Sequence, residues 1–387
     1  MFSRNGMISE KQMRRMLVLS VYASLIFVLP YLSAWLFGES IVPGLAVFFA
    51  LACIYTACIY AFSLWLRKTV TGRGGEEKSI ASRVLVVMQV LRLIIRLAFY
   101  ICLTIEVLRE GQVPFMPENT GGNGGRLLVA VPLLLVAFYA ANIGGGENGV
   151  EKQGRIYELI FWMLFIPLVL VLLFGIPEVD FSIFFPQTSA NAGVLLFRAY
   201  LLLPFLLPVE NYLLLRPFLQ EENGGGKRDK HIGVTILPAV LGTVLLVCIL
   251  TLFMLGIYGV QGAGSEEMLT VSIMRYVRLP LGFIERVDVL LVWFFMIGCF
   301  VLIGQTLYFM GMLLSHIFGR SVKIWLQAVL LAAAVALAVF LPNYGDALWV
   351  YRIYGAVADI PFSIVLPVLG VLAVQLCDIE NQERKED

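Results

Sequence analysis

The chain has 387 residues and a net charge of +1, from 28 Lys and Arg against 27 Asp and Glu. Hydrophobic side chains make up 60% of it and charged ones 14%, where a soluble globular domain carries about 25% charged residues. That balance excludes an ordinary soluble domain and leaves no basic surplus for holding nucleic acid.

Apolar runs of the roughly 20 residues needed to cross about 30 Å of hydrocarbon recur along the sequence. They place spans at 14–37, 41–66, 83–108, 126–143, 156–175, 193–217, 232–258, 286–318, 322–341 and 357–377. The first run is longer than a signal-peptide core and lacks a small-residue cleavage site, so it reads as a span. Segment 259–285 is mixed in polarity and reads as an extracellular loop with a short amphipathic helix near 268–277. The expected fold is all-α and polytopic, one transmembrane domain over 1–387. The glycine-rich loops at 119–126, 144–149 and 220–228 carry no GxxxxGK[ST] pattern and read as flexible connectors. The six cysteines lie in apolar runs without a CxxC pair, which gives neither a disulfide frame nor a metal site. No cofactor is implied. HExxH, GxSxG and paired-aspartate motifs are absent, so no catalytic residue is expected.

Lysine and arginine set the orientation. With the N-terminus in the cytoplasm, the inner segments hold nineteen of them: Arg4 to Arg15, Arg67 to Arg83, Lys152 and Arg155, Arg216 to Lys230, Arg320 and Lys323, Arg384 and Lys385. The outer segments hold six: Arg109, Arg126, Arg275, Arg278, Arg286 and Arg352. This asymmetry predicts an even number of spans with both termini cytoplasmic.

Polar groups inside spans mark the candidate site, because lipid cannot satisfy a freed backbone group or a charge. Span one carries Ser24 and then Pro30. Span six carries Pro204 and Pro208 one turn apart, followed by Glu210 and Asn211, so a straight helix is not expected there. Glu210 reads either as a functional carboxylate or as the structural partner of an arginine. In span three, Arg92 and Arg96 share a face, with Tyr100 a turn beyond. They pair with Glu210, line a polar path, or snorkel to the inner surface. In span eight, Gln305 and Tyr308 read as ligand contacts or as packing and interhelical hydrogen bonding. No group has metal-ligand spacing. If the chain is two five-span halves, about 14–175 and 193–377, the second is inverted and the breaks in spans one and six correspond. Broken helices meeting at the midplane are the usual substrate site of that architecture.

Four segments carry a family resemblance: ISEKQMRRMLVLSVYASLIFVLP, GRIYELIFWMLFIPLVLVLLFGIPEVDFSIFFP, LLPFLLPVENYLLLRPFL and LPLGFIERVDVLLVWFFMIGCFVLIGQTLYFMG. With these the chain resembles the spore-germination B-subunit family, a branch of the amino acid–polyamine–organocation transporter superfamily. The resemblance implies a ten-helix, LeuT-like 5+5 inverted repeat with broken helices one and six. It also implies location in the spore inner membrane and work alongside germinant-receptor A and C subunits. The implied ligand is a small germinant such as an amino acid, in a pocket between helices one, three, six and eight. That pocket falls on Ser24, Tyr100, Pro208, Glu210 and Tyr308. A proton-coupled amino-acid transporter is the alternative the resemblance leaves open.

Overall fold

The structure is a computed structural model that describes residues 7–70, 80–110, 123–143, 149–184, 191–219, 227–273, 287–318, 324–341 and 343–365. Helix α1 (Glu10–Ile26) begins at a capping box: Gln12 N–H donates to Ser9 Oγ (3.2 Å) and Ser9 N–H to Gln12 Oε1 (3.1 Å). The two bonds satisfy orphan donors of the first turn. A two-residue break at Phe27–Val28 separates α1 from α2 (Leu29–Phe37), and Pro30 occupies the first turn of α2. Gly38, with φ 54°, then turns the chain, so α3 (Ile41–Val70) runs back and packs on α2. Glycine takes this left-handed conformation without a Cβ penalty.

Helices α4 (Ile80–Glu110), α5 (Asn123–Ile143) and α6 (Gly149–Gly175) follow. The next span is broken: α7 (Ala192–Tyr200) is followed by a 3₁₀ stretch, Leu203–Glu210, and by α8 (Asn211–Leu215), with a 48° bend between its halves. Helix α9 (Lys227–Tyr258) leads to two short turns, α10 (Val260–Ala263) and α11 (Leu269–Ser272). Helices α12 (Val287–Phe318), α13 (Ile324–Phe340) and α14 (Tyr344–Tyr354) complete the order. Helix α14 continues through a π turn at Gly355–Asp359 into helix up to residue 365.

The described residues contain no β-strand; an isolated bridge joins Ile8 to Leu219. Among them, five stretches are long and apolar enough to cross a bilayer: Leu29–Leu64, Val86–Glu110, Thr235–Tyr258, Phe295–Ser315 and Tyr344–Val365. The bent pair of span six makes a sixth, and Ala130–Asn142 and Ile324–Phe340 are shorter apolar helices. The first stretch is not one straight rod, since Gly38 folds it. The chain is an all-α polytopic membrane protein.

Its surface carries large apolar side chains, with Trp35, Ile54, Leu135, Tyr139, Trp162, Phe197 and Phe340 exposed, while Arg92, Arg96, Glu210 and Asp359 lie inside. This inversion is what lipid demands of a bundle. Helix α4 sits at the centre, packed on α12, α13, α5 and α14. Helix α1 is wedged among α9, α6, α12 and the 3₁₀ stretch.

Helix occurs in each of the ten expected segments. The last differs in extent: it begins at Tyr344 and not at 357, and its expected end lies outside the described residues. The polar start of α14 and Arg352 dilute its hydropathy, which hid the first half. The expected amphipathic helix near 268–277 is the four-residue α11, all of it buried; residues 274–285 lie outside the described set.

Candidate functional site

Proline breaks three helices, and each break leaves a carbonyl without its usual donor. In α1 the carbonyl of Ile26 would accept from residue 30, but Pro30 has no N–H. Thr270 Oγ1 from α11 donates to it instead, at 2.6 Å. In the 3₁₀ stretch, where bonds run from i+3 to i, the carbonyl of Phe205 would accept from Pro208. Ser24 Oγ of α1 fills that place at 2.7 Å. In the π turn, where bonds run from i+5 to i, the carbonyl of Ala356 would accept from Pro361. The Tyr200 hydroxyl at the end of α7 donates to it at 2.6 Å. Irregular backbone survives at this depth because protein groups satisfy it, and here the capping groups come from the other broken spans or from α11. A side chain at Gly355 would run into Pro204, so that glycine is what lets the π turn lie against the 3₁₀ stretch.

Four charges gather beside these breaks. Arg92 Nη2 donates to Glu210 Oε1 and Oε2 at 3.1 and 3.2 Å and to the backbone carbonyl of Asp359 at 2.9 Å. Its Nε is paired with Asp359 Oδ1, and its Nη1 donates to Gln89 Oε1 at 2.7 Å. Arg96 Nη2 lies 3.3 Å from Asp359 Oδ2 and 3.8 Å from Glu210 Oε2. The Tyr55 hydroxyl of α3 donates to Glu210 Oε1 at 3.0 Å and lies 3.3 Å from Ser363 Oγ. All four charged residues are buried, Asp359 completely. Two guanidinium groups balance two carboxylates, which is how a charge becomes tolerable away from water.

Aromatic rings close over the quartet. Phe99 stacks on Tyr351 with centroids 4.3 Å apart, and Phe205 lies 5.8 Å from Phe99 and 5.5 Å from Tyr351. Within this enclosure two polar atoms have no hydrogen-bond partner among the described residues: Arg96 Nε and the Tyr351 hydroxyl. Tyr351 and Tyr100 are both electrostatic neighbours of Arg96.

The structure therefore brings Ser24, Tyr100, Pro208, Glu210, Arg92 and Arg96 to one locus, on elements distant in sequence. Gln305 stands apart from it, accepting a hydrogen bond from Ser20 of α1 through its Oε1. Its Nε2 is unpaired among the described residues. Tyr308 is buried with its ring against Phe309. Asp359, Tyr55, Tyr351, Tyr200 and Thr270 went unread in the sequence. A signal existed for Asp359: in Asp-Ile-Pro it stands beside a proline within an apolar run, as Glu210 does in Pro-Val-Glu.

Residues 123–344 match the model of the spore permease family, described as spore germination protein. The chain belongs to the spore germination protein family. The match covers more than half of the sequence and includes Glu210, Thr270, Gln305 and Tyr308, while Arg92, Arg96 and Asp359 lie outside it. No curated protein matches the sequence. As a family member the chain is a germination-related, multi-pass membrane protein of permease type, and the family is not one of known enzymes. In this spore germination protein the buried quartet joins span three to the breaks in spans six and ten. The Ser24 hydrogen bond ties the break of span six to span one.

Proposed function

We propose that this spore germination protein is the membrane subunit of a germinant receptor. It binds a small germinant, such as an amino acid, where the breaks of spans one and six meet, and works with A and C receptor subunits in the spore inner membrane, both termini cytoplasmic. The ten spans form two inverted halves, about 14–175 and 193–377. What carries the reading is the pair of unpartnered polar atoms, Arg96 Nε and the Tyr351 hydroxyl, beside the Ser24–Phe205 junction. A buried donor without an acceptor costs about 1–3 kcal/mol. A carboxylate on the ligand would supply the acceptor, and the aromatic rings of Phe99 and Phe205 would cover its apolar part. Binding there competes with the internal ion pairs of Arg96, and so couples occupancy to the geometry of both broken helices.

The test is a thermal-shift screen of purified full-length protein against amino acids and nucleosides. A true ligand at 100 times its Kd stabilises the folded state by about 2.7 kcal/mol. Glu210→Gln should abolish the shift while the protein still reaches the membrane. An unchanged response in that variant removes Glu210 from the site. The transporter reading gains from the same meeting of broken helices, which is how transporters hold substrate. Concentrative uptake of a labelled amino acid by liposomes containing this chain alone would replace the receptor reading with it.

A further inference from the structure

A second feature lies outside this site, at the end of the bundle where α1 begins. A cavity of about 420 Å³ opens there between α1, α6 and α9, with Arg14 and Arg15 at its mouth. Its walls are apolar, from Val18, Phe165, Gly242 and Leu246. Trp162 stands at its side and is 61% exposed. In a membrane protein that exposure is contact with lipid. A Cβ on Gly242 would meet nothing within 4 Å, so the groove is open along α9. Thr243 does not make the wall polar, since its hydroxyl is spent on the Ala239 carbonyl at 2.8 Å.

The two arginines differ. Arg15 is occupied: it pairs with Glu158, and its guanidinium lies 5.3 Å from the centroid of the Phe161 ring. Arg14, half-buried in the second turn of α1, has no ion pair among the described residues. A cation without a counter-ion among the described residues, set where a helix emerges from hydrocarbon and facing an apolar slot, meets the chemistry of one ligand class. That class carries a negative head and a long apolar tail.

We propose that this groove is a binding site for an anionic phospholipid. The phosphate sits against Arg14, with Arg15 adding positive potential, and one acyl chain lies along Val18, Phe165, Gly242 and Leu246. Because the groove is walled by α1, the lipid holds the half of span one that carries Ser24.

Native mass spectrometry on delipidated full-length protein in detergent tests this, with phosphatidylglycerol and phosphatidylcholine as the two titrants. The wild type should retain one phosphatidylglycerol in preference to phosphatidylcholine. Arg14→Gln should weaken that binding about five- to tenfold, since an arginine near a headgroup is worth about 1 kcal/mol and tenfold is 1.4 kcal/mol. Gly242→Leu should weaken it comparably by filling the slot with both arginines intact, which keeps the test decisive if Arg14→Gln folds poorly. Arg155→Gln removes a cation that is paired with Glu151 and does not line the groove, and should leave binding unchanged. Wild-type binding by Gly242→Leu, equal retention of the two lipids, or an equal loss in Arg155→Gln would each overturn the proposal.

Discussion

The two broken spans that meet at the candidate site are built differently. Span one is interrupted for two residues, by one proline, and its freed carbonyl at Ile26 is covered by a hydroxyl from α11. Span six is interrupted by eight residues of 3₁₀ helix holding two prolines, and it ends on Glu210. Its freed carbonyl at Phe205 is covered by span one itself. Span one thus contributes only a neutral hydroxyl to the junction, while span six contributes both the long irregular backbone and the carboxylate. The shorter break acts as a latch, and the longer one carries the charge chemistry.

The sharpest way to break that division is to remove a charge. Arg92→Met leaves Glu210 and Asp359 facing Arg96 alone and should destabilise the protein by about 3–5 kcal/mol, the cost of an uncompensated buried charge. Thermal melting in detergent reads this, and a melting point unchanged from wild type would deny the quartet its structural role. Gly355→Ala tests whether the longer break depends on close approach. Its Cβ runs into Pro204, and overpacking of this kind costs about 1–3 kcal/mol, read by the same melt. Ser24→Ala probes the latch, with an expected loss within the roughly 0.6–1.7 kcal/mol found for hydrogen bonds between helices in lipid. Pro208→Ala restores a donor for the Phe205 carbonyl, so in a double-mutant cycle the loss from Ser24→Ala should shrink; strict additivity would refute the capping role. Thr270→Val, at the outlying cap, should cost least, about 0.6 kcal/mol, and should leave the Arg96 and Glu210 pairings intact.

Much of this was legible in the chain. The Pro204–Pro208 pair beside Glu210 announced the break in span six, because proline's missing N–H acts locally, whereas Pro30 alone is a weaker mark, since Pro132 and Pro238 lie inside unbroken helices. Charges in apolar runs announced Glu210, Arg92 and Arg96 for the same reason. Asp359 was lost because Arg352 and the polar start of α14 masked the first half of its helix, so that a residue mid-helix seemed to sit at its entrance. The caps were not legible at all. Nothing local to Thr270, Tyr200 or Ser24 says which carbonyl each will meet, since the partner lies 156 to 244 residues away. Gln305 illustrates the converse: a polar group in a span reads the same whether it faces the charged locus or, as here, Ser20.

The quartet of Arg92, Arg96, Glu210 and Asp359 has a further consequence through its sum, which is zero. A membrane potential acts on net charge, at about 2.3 kcal/mol per unit charge per 100 mV across the full field. A rearrangement that carries the four groups together moves no charge through that field, so it is indifferent to voltage. Removing one of the carboxylate charges, as in Glu210→Gln, leaves one uncompensated positive charge buried within the bundle. The same motion would then be driven by the potential in one direction and opposed in the other. An energised membrane would then favour one arrangement of the broken helices over another.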